Sequence, residues 1–166
     1  MTSRIGRPRR SITVGLPPFQ HLLDAHRADV YRFLVALVGR LVAEDCFQET
    51  FLSALRAYPR LQDAANLRGW LMTIAHRKAL DALRRASRRP VPVAELPDGI
   101  APPPSLPDPS VWGAVRGLPP KQRAAVVMRY EVGLPYRDIG RALGSSEAAA
   151  RQNVREAFKR LREVLT

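Results

Sequence analysis

A proline-rich stretch at residues 90–111 constrains the fold of this chain more than any other feature of its sequence. It holds eight prolines, and its only charged residues are three acids. Proline lacks an amide donor and its ring clashes with the preceding helical turn, so this stretch cannot form a helix. The sequence therefore predicts a semi-extended linker that separates residues 19–89 from residues 112–166.

Apolar residues on both sides of the linker recur at helical spacing. In the first segment they predict amphipathic helices over about residues 18–39, 42–58 and 66–85. In the second segment a short helix at 134–144 is followed by a turn and a long last helix. No alternating strand pattern is present. The chain is therefore predicted to be all-α, with two small helical domains joined by the linker.

The charge balance favours a polyanionic partner. The chain has 27 Lys and Arg against 15 Asp and Glu, which gives a formal net charge of +12 and a pI of about 11.2. Such a charge attracts nucleic acid or an anionic membrane surface, although a merely soluble basic protein is an alternative. Residues 1–18 carry four arginines and are interpreted as a basic disordered tail.

The sequence lacks motifs for catalysis, metal binding and secretion. Cys46 is the single cysteine, so an intrachain disulfide is excluded. The histidines do not show metal-ligand spacing with Cys46, and no nucleophile motif is present. There is no apolar run of the ~20 residues that a membrane helix needs, nor a signal-peptide core. We therefore expect a cytoplasmic protein that is not an enzyme, binds no cofactor or metal and is not inserted in a membrane.

Residues 43–51, AEDCFQETF, concentrate acidic and amide side chains in an otherwise basic chain. At about 100° per residue, Asp45, Gln48 and Glu49 fall within one arc of a helix surface. On these residues alone, a solvated face with acids near a helix start is the favoured interpretation. The alternative is a surface for a protein partner, because carboxylates do not suit phosphate.

The stretch NLRGWLMTIAHRKALDALRR (66–85) begins with a good helix cap, Asn66, and places an aromatic near the helix start. Trp70 followed by Arg77 and Lys78 is a combination that single-stranded DNA binding uses, namely a stacking surface beside phosphate neutralisation. For Trp70, spacing alone favours core packing. Both interpretations therefore stand for this side chain.

The last segment follows the pattern of a helix-turn-helix. Ser146 ends the turn and can cap the last helix, in which the early Glu147 suits the positive helix end. The exposed side of that helix carries Arg151, Gln152, Arg155 and Lys159. Arginine can read guanine and glutamine can read adenine in the major groove. An ordinary solvated helix surface is the alternative for this face.

Together these segments resemble bacterial RNA polymerase sigma factors of the extracytoplasmic-function (ECF) branch. Sigma region 2 is similar to AEDCFQETFLSAL (43–55) followed by the 66–85 stretch. Region 4 is similar to LPPKQRAAVVMRYEVGLPYRDIGRALGSSEAAARQNVREAFKRLREVL (118–165). Two departures limit the transfer of detail: DIG at 138–140 replaces the more usual Glu-Ile-Ala, and AAARQNV at 148–154 replaces a Gly-Thr-Val-Lys-Ser-Arg-Leu type. The bases read by this chain are therefore not inherited from the resemblance.

The resemblance implies a promoter-specificity subunit, with a region 2 helical bundle over 19–89 and a region 4 helix-turn-helix over 112–166. Asp45, Gln48 and Glu49 would bind core RNA polymerase, a partner that acts through its β′ clamp and β subunits. An anti-sigma factor is a further partner that the resemblance implies. A stand-alone helix-turn-helix regulator is the alternative, and it leaves 43–51 and 66–85 without a role.

The resemblance also assigns DNA contacts residue by residue. The minus-10 element would be captured as a single strand and melted by Asp63, Asn66, Arg68, Trp70, Arg77 and Lys78. The minus-35 element would be read as duplex by Arg151, Gln152, Arg155 and Lys159. In this interpretation the basic helices of the two domains bind separate parts of one promoter.

Overall fold

The described residues, 15–88 and 109–166 of a computed structural model, form helices joined by short turns, and no β-strand occurs among them. In chain order the helices are α1 (Phe19–Val38), α2 (Arg40–Ala57), α3 (Leu67–Arg88), α4 (Pro109–Arg116), α5 (Pro120–Tyr130), α6 (Tyr136–Ala142) and α7 (Glu147–Leu165), with a 3₁₀ turn at Tyr58–Arg60. The predicted all-α class is confirmed. Residues 1–14 of the predicted tail and 90–108 of the predicted linker lie outside the described residues, as does residue 89.

Some element ends differ from the predicted ones. Gly39, at φ 83°, separates α1 from α2, and α2 begins at Arg40. α4 begins at Pro109, so residues 109–111 are helical although we predicted them to be linker. Proline is accepted there because the first N–H groups of a helix need no helical partner. α6 is shorter than predicted, since the extended Pro135 precedes it and the residue before a proline avoids helical geometry.

The end of the predicted tail is packed onto the first bundle, which consists of α1, α2 and α3. Leu16 lies against the hydrophobic core, and the Tyr58 hydroxyl donates to the carbonyl of Pro17. The bulkiest fully buried side chains of this bundle include Val30, Phe33, Leu34, Leu71 and Met72. Leu16 and Pro17, which we predicted to be part of the tail, therefore contact this bundle.

The second bundle consists of α4 to α7, and α6, the turn and α7 form the helix-turn-helix. The Ser146 side-chain oxygen accepts the N–H of Ala149 at 3.0 Å, as the capping pattern predicts. Gly140 of α6 lies against the same turn: a Cβ built on it would come within 2.8 Å of the carbonyl carbon of Ser146. A glycine at this position therefore allows α6 and the start of α7 to approach closely.

Gly140→Ala is expected to destabilise the second bundle. The added methyl group would clash with backbone atoms, which cannot move aside as the end of a flexible side chain can. The free energy of unfolding should fall by about 1–2 kcal/mol, the overpacking penalty exceeding the helix-propensity gain. Gly113→Ala in α4 is the matched control, since nothing lies within 4 Å of its added Cβ. It should stabilise by about 0.5–1 kcal/mol. Chemical denaturation of both variants tests this, and an equal gain in both would contradict it.

The two bundles pack against each other, α1 against α5 and α3 against α6. Arg123 of α5 donates from Nη1 to the carbonyl of Leu37 at 3.0 Å and from Nη2 to that of Leu118 at 3.1 Å. Arg68 of α3 donates to the carbonyl of Gly133 at 3.3 Å. Arg123 thus places a cation at the carboxyl end of α1, where the helix dipole favours it. We call this packing of the two bundles the closed arrangement.

His76 of α3 is 2% exposed and packs beside the ring of Phe33. Burial, with smaller effects from Lys121 of α5 and from Arg77, lowers the pKa of His76 from 6.5 to about 4. The unfolded chain therefore binds a proton on this side chain between pH 6.5 and 4 that the folded chain does not. The contribution of the neutral imidazole to stability is complete above pH 6.5 and is lost as the pH falls towards 4.

We expect this side chain alone to reduce the free energy of unfolding by roughly 3 kcal/mol between pH 6.5 and pH 4. Denaturant unfolding at several pH values should be compared with His76→Met, which fills a similar volume but does not titrate. The variant should lose stability less steeply in this range, because methionine at position 76 has no proton to bind on unfolding. Identical pH profiles would contradict the assignment.

Candidate DNA and polymerase interfaces

One face of α2 exposes apolar and polar side chains together. Leu41 is 86%, Leu52 51% and Leu55 50% exposed. Asp45 and Gln48 are exposed between them, at the three- and four-residue spacing that lines up side chains on a helix. We call these residues the α2 stripe: Leu41, Asp45, Gln48, Leu52 and Leu55. An exposed apolar stripe with embedded polar groups fits a protein partner better than a solvated face or phosphate.

Glu49, predicted with Asp45 and Gln48, lies off this stripe, towards α3. Its carboxylate is 3.9 Å from the guanidinium of Arg85, which is largely exposed, whereas the side chain of Glu49 is about half exposed. Both also line a shallow cavity with the buried Cys46. Burial and the nearby Glu49 raise the pKa of the Cys46 thiol, so it stays protonated. Glu49 therefore sits at the edge of the stripe, and its exposed ion pair adds little stability.

The sequence did not identify the leucines of the stripe as surface residues. Helical spacing assigns Leu55 to the buried side of α2, together with Phe51 and Ala54, but only the latter two are buried. The informative signal was the spacing of Leu41, Leu52 and Leu55 around the acidic and amide residues, at intervals of three and four. That regularity puts the three leucines on the same side of α2 as the exposed Asp45 and Gln48.

The loop before α3 and the first turns of α3 are tightly organised. The Asp63 carboxylate accepts the N–H of Ala65 at 2.8 Å, and the Asn66 side-chain oxygen accepts the N–H of Gly69 at 3.0 Å. Trp70 is half-buried, with its ring centroid 6.3 Å from that of Tyr58. Trp70 therefore packs against the core, as its spacing predicts, while part of the side chain stays accessible. Its contact with DNA stays a prediction.

A cavity of about 250 Å³ lies where this loop meets α6. Its lining residues are Leu61, Asp63, Asn66, Gly69, Trp70 and Thr73 from the first bundle, and Asp138 and Arg141 from the second. Three residues predicted to bind the minus-10 element, Asp63, Asn66 and Trp70, therefore share one edge. Arg68 lies beside them and bonds to Gly133 across the contact. In the closed arrangement this edge faces the second bundle.

The other two residues predicted to contact the minus-10 element lie further along α3. Arg77 is exposed, whereas Lys78 is partly buried. The carbonyl of Lys78 accepts a long bond from the Cys46 thiol, at 3.8 Å. Both cations follow Trp70 by about two helical turns. Because they are neighbours in sequence, they lie about 100° apart around α3 and point in different directions.

The predicted DNA-reading side chains of α7 are exposed. Arg151 ion-pairs with Glu147 one turn earlier, and the Gln152 amide donates to Glu156 at 2.9 Å. Arg155 and Lys159 continue the same exposed face. The buried side of the helix is formed by Ala150, Val154, Ala157 and Leu161. The structure thus brings the four predicted residues onto one surface at the amino-terminal and middle parts of α7.

Sequence reasoning missed one aromatic residue beside this surface. Tyr136 begins α6, and the guanidinium groups of Arg129 and Arg151 lie 4.6 Å and 4.9 Å from its ring centroid. An aromatic at the start of a helix between arginine-rich segments was a signal for such a contact. The pairing itself depends on how α5, α6 and α7 pack, which the sequence does not reveal.

Other site types were sought in the part of the chain that the structure describes. Within residues 15–88 and 109–166, no group of three or more His, Cys, Asp or Glu side chains is arranged to hold a metal ion. None of the helices there is long and apolar enough to cross a membrane. The surfaces on α2, α3 and α7 therefore remain the candidate sites of these residues.

Two family models match this chain. The model described as Sigma-70 region 2 matches residues 22–89, and the model described as Sigma-70, region 4 matches residues 110–161. Together they cover well over half of the chain. The α2 stripe and the start of α3 fall in the first match, and the helix-turn-helix falls in the second.

Similar curated proteins and solved structures agree with these matches. RNA polymerase sigma factor CarQ of Myxococcus xanthus is 35% identical in an alignment of 155 positions that covers 89% of this chain and 88% of CarQ. ECF RNA polymerase sigma factor SigE of Mycolicibacterium smegmatis is 31% identical in an alignment of 163 positions that covers 90% of this chain and 62% of SigE. The sigma factor RpoE of Bartonella quintana, solved with the anti-sigma factor NepR, has the same fold, with a TM-score of 0.75 at 24% identity over 89% of this chain and 96% of RpoE. The chain therefore belongs to the sigma-70 family, as a sigma factor of the ECF type.

Proposed function

We propose that this sigma factor uses three separate surfaces to bring core RNA polymerase to a subset of promoters. The α2 stripe binds the core enzyme, the start of α3 captures the minus-10 strand, and α7 reads the minus-35 duplex. The observation that carries this proposal is the exposure of the α2 stripe, which combines apolar and acidic groups in a basic chain. The second bundle supplies a basic helix for DNA, so the two kinds of partner meet different helices.

The chemistry of the α2 stripe supports a helical partner that carries basic residues. Leu41, Leu52 and Leu55 together offer apolar surface whose burial drives association. Asp45 and Gln48 lie between them, where a carboxylate and an amide can bond to cations of the partner. The β′ clamp of core polymerase is the proposed partner, with Glu49 contributing from the edge of the stripe.

The edge of α3 supports capture of a single strand. The ring of Trp70 provides a stacking surface, and Asp63 and Asn66 provide polar groups at the same cavity. A base that has left the duplex can stack and hydrogen-bond in such a place. Arg68 and, further along the helix, Arg77 and Lys78 supply charge for the phosphates that follow.

The closed arrangement has a consequence for this capture. α6 lies against the edge that the minus-10 strand would use, and Arg123 and Arg68 join the bundles through bonds to backbone carbonyls. DNA and α6 therefore compete for the same edge. The proposed function requires the bundles to separate before the strand is captured, and the proline-rich composition between them predicts a linker long enough for that separation.

The helix-turn-helix supports duplex reading. The amino-terminal part of a recognition helix enters the major groove, which favours Arg151, Gln152 and Arg155 for base edges and Lys159 for phosphate. The proposed domain bounds are 19–89 for the core-binding and minus-10 module and 112–166 for the minus-35 module. The proposal includes no catalytic step, cofactor or metal, and it places the protein with polymerase in the cytoplasm.

An anti-sigma factor is a further proposed partner. Two solved structures with the same fold are of complexes: the sigma factor RpoE with the anti-sigma factor NepR, and CnrH with the cytosolic domain of CnrY. A protein that binds both bundles would hold the closed arrangement and keep α6 over the minus-10 edge. Such binding would also compete with core polymerase if it covered the α2 stripe.

Reconstituted transcription tests the proposed function. The purified chain should bind core RNA polymerase and direct it to initiate on a subset of genomic fragments in run-off transcription, whereas core alone should not. Binding to the same fragments without any affinity for core would favour the stand-alone regulator. That alternative explains α7, but it leaves the exposed leucines of α2 unexplained.

A further inference from the structure

One aromatic ring in the helix-turn-helix holds two guanidinium groups. The guanidinium carbons of Arg129 and Arg151 lie 4.6 Å and 4.9 Å from the centroid of the Tyr136 ring. Both distances are within the ~6 Å range of cation–π attraction. Tyr136 is half-buried and packs against the hydrophobic core, so the position of the ring is fixed by the fold.

These side chains line an open basin where both helices of the helix-turn-helix begin. α6 starts at Tyr136 and α7 at Glu147. The basin has a volume of about 520 Å³ and is lined by Arg129, Pro135, Tyr136, Arg137, Glu147 and Arg151. Three guanidinium groups against one lining carboxylate make it positive. Because the recognition helix presents its amino-terminal end to DNA, the basin adjoins the proposed minus-35 surface.

The two arginines are restrained to different degrees. Arg129 donates from Nη1 to the carbonyl of Leu134 at 3.1 Å, so a backbone bond fixes it independently of the ring. Arg151 has an ion pair with Glu147, in which both side chains are about half exposed. Exposed ion pairs of this kind contribute little because water and salt screen them. Of the two partners of Arg151, the Tyr136 ring is the one that the hydrophobic core holds in place.

We infer that Tyr136 is a positioning residue for Arg151, holding its guanidinium at the mouth of the basin before DNA arrives. The inference rests on the proposed assignment of Arg151 to the minus-35 duplex. An arginine that is already held loses less conformational freedom when it binds a base or phosphate, so the complex is tighter. Removal of the ring weakens promoter binding although the arginine is still present.

A double-mutant cycle in the holoenzyme tests this inference. Core polymerase is assembled with the unchanged full chain or with one of four variants of it. The variants carry Tyr136→Leu, Tyr136→Phe, Arg151→Ala, or Tyr136→Leu together with Arg151→Ala. The affinity of each holoenzyme is measured for a promoter fragment selected by run-off transcription. It is also measured for versions of this fragment in which one minus-35 base pair at a time is changed. Tyr136→Leu should weaken binding about 3- to 10-fold, whereas Tyr136→Phe, which keeps the ring, should stay within about twofold.

In the Arg151→Ala background, Tyr136→Leu should have less than half of that effect, because the side chain it positions is gone. In the otherwise unchanged chain, Tyr136→Leu should also reduce discrimination at the base pair that Arg151→Ala affects. Equal losses in both backgrounds would overturn the inference, since a purely structural role acts in both. A Tyr136→Phe variant as weak as Tyr136→Leu would also overturn it. Unchanged binding and base preference in Arg151→Ala would instead refute the proposed role of Arg151, and the inference with it.

Discussion

A variant carrying Asp45→Arg and Leu52→Arg is expected to bind core RNA polymerase roughly 30-fold more weakly or worse. Both side chains are exposed on the α2 stripe, so the changes leave the core of the first bundle intact. They replace an attractive carboxylate and an apolar contact with two cations. The loss of a single hot-spot contact costs about 2 kcal/mol, which corresponds to about 30-fold in affinity, and loss of both contacts would cost more. Affinity measured by fluorescence titration of labelled core checks this result.

A matched control for this variant lies on α1. Asp24 and Ala28 are exposed residues of the same bundle, and Asp24→Arg with Ala28→Arg adds the same two arginines away from the stripe. This control should bind core within about twofold of the unchanged chain, as surface changes outside an interface usually do. Equal weakening of both variants would mean that net charge, and not the α2 stripe, determines core affinity.

The second large effect is expected from locking the closed arrangement covalently. Thr73 of α3 and Arg141 of α6 line the same cavity, and neither is assigned a DNA contact. In a Cys46→Ser background, Thr73→Cys and Arg141→Cys are joined by a bismaleimide whose spacer contains a disulfide. Transcript yield should fall to the level set by the uncross-linked fraction, because α6 then cannot leave the minus-10 edge.

Reduction of the spacer should restore transcription with the same sample. Each single-cysteine variant, treated with the same reagent, serves as control for modification of one side chain. A cross-linked chain that still opens promoter DNA at the full rate would show that the closed arrangement is compatible with strand capture. The proposed competition between α6 and DNA would then be wrong.

The helices and their caps could be predicted from the sequence because local rules determine them. Apolar spacing located α1, α2, α3 and α7, and the capping roles of Asn66 and Ser146 followed from their positions before apolar runs. The predicted linker was too long at its carboxyl end, where Pro109 begins α4. That error arose because proline blocks a helix interior but is well suited to a first helical turn.

Properties that depend on packing between distant segments could not be predicted. A linker of this length allows many relative positions of the bundles, so the sequence contained no sign that α6 would lie over Trp70 and Asn66. The exposure of Leu55 was misjudged because periodicity reveals which residues share a face but not which face is covered. The Tyr136 contacts were missed for the same reason, since three helices must meet to form them.

The central claim is that three helices of one chain have different targets during initiation: α2 binds core polymerase, α3 the minus-10 strand and α7 the minus-35 duplex. Site-specific photocross-linking tests it most directly, with p-benzoylphenylalanine placed in turn at positions 48, 77 and 155 of the holoenzyme bound to promoter DNA. Position 48 is expected to cross-link to a core polymerase subunit, position 77 to the minus-10 region and position 155 to the minus-35 duplex. Cross-links from position 48 to DNA, or from position 155 to polymerase alone, would contradict the account.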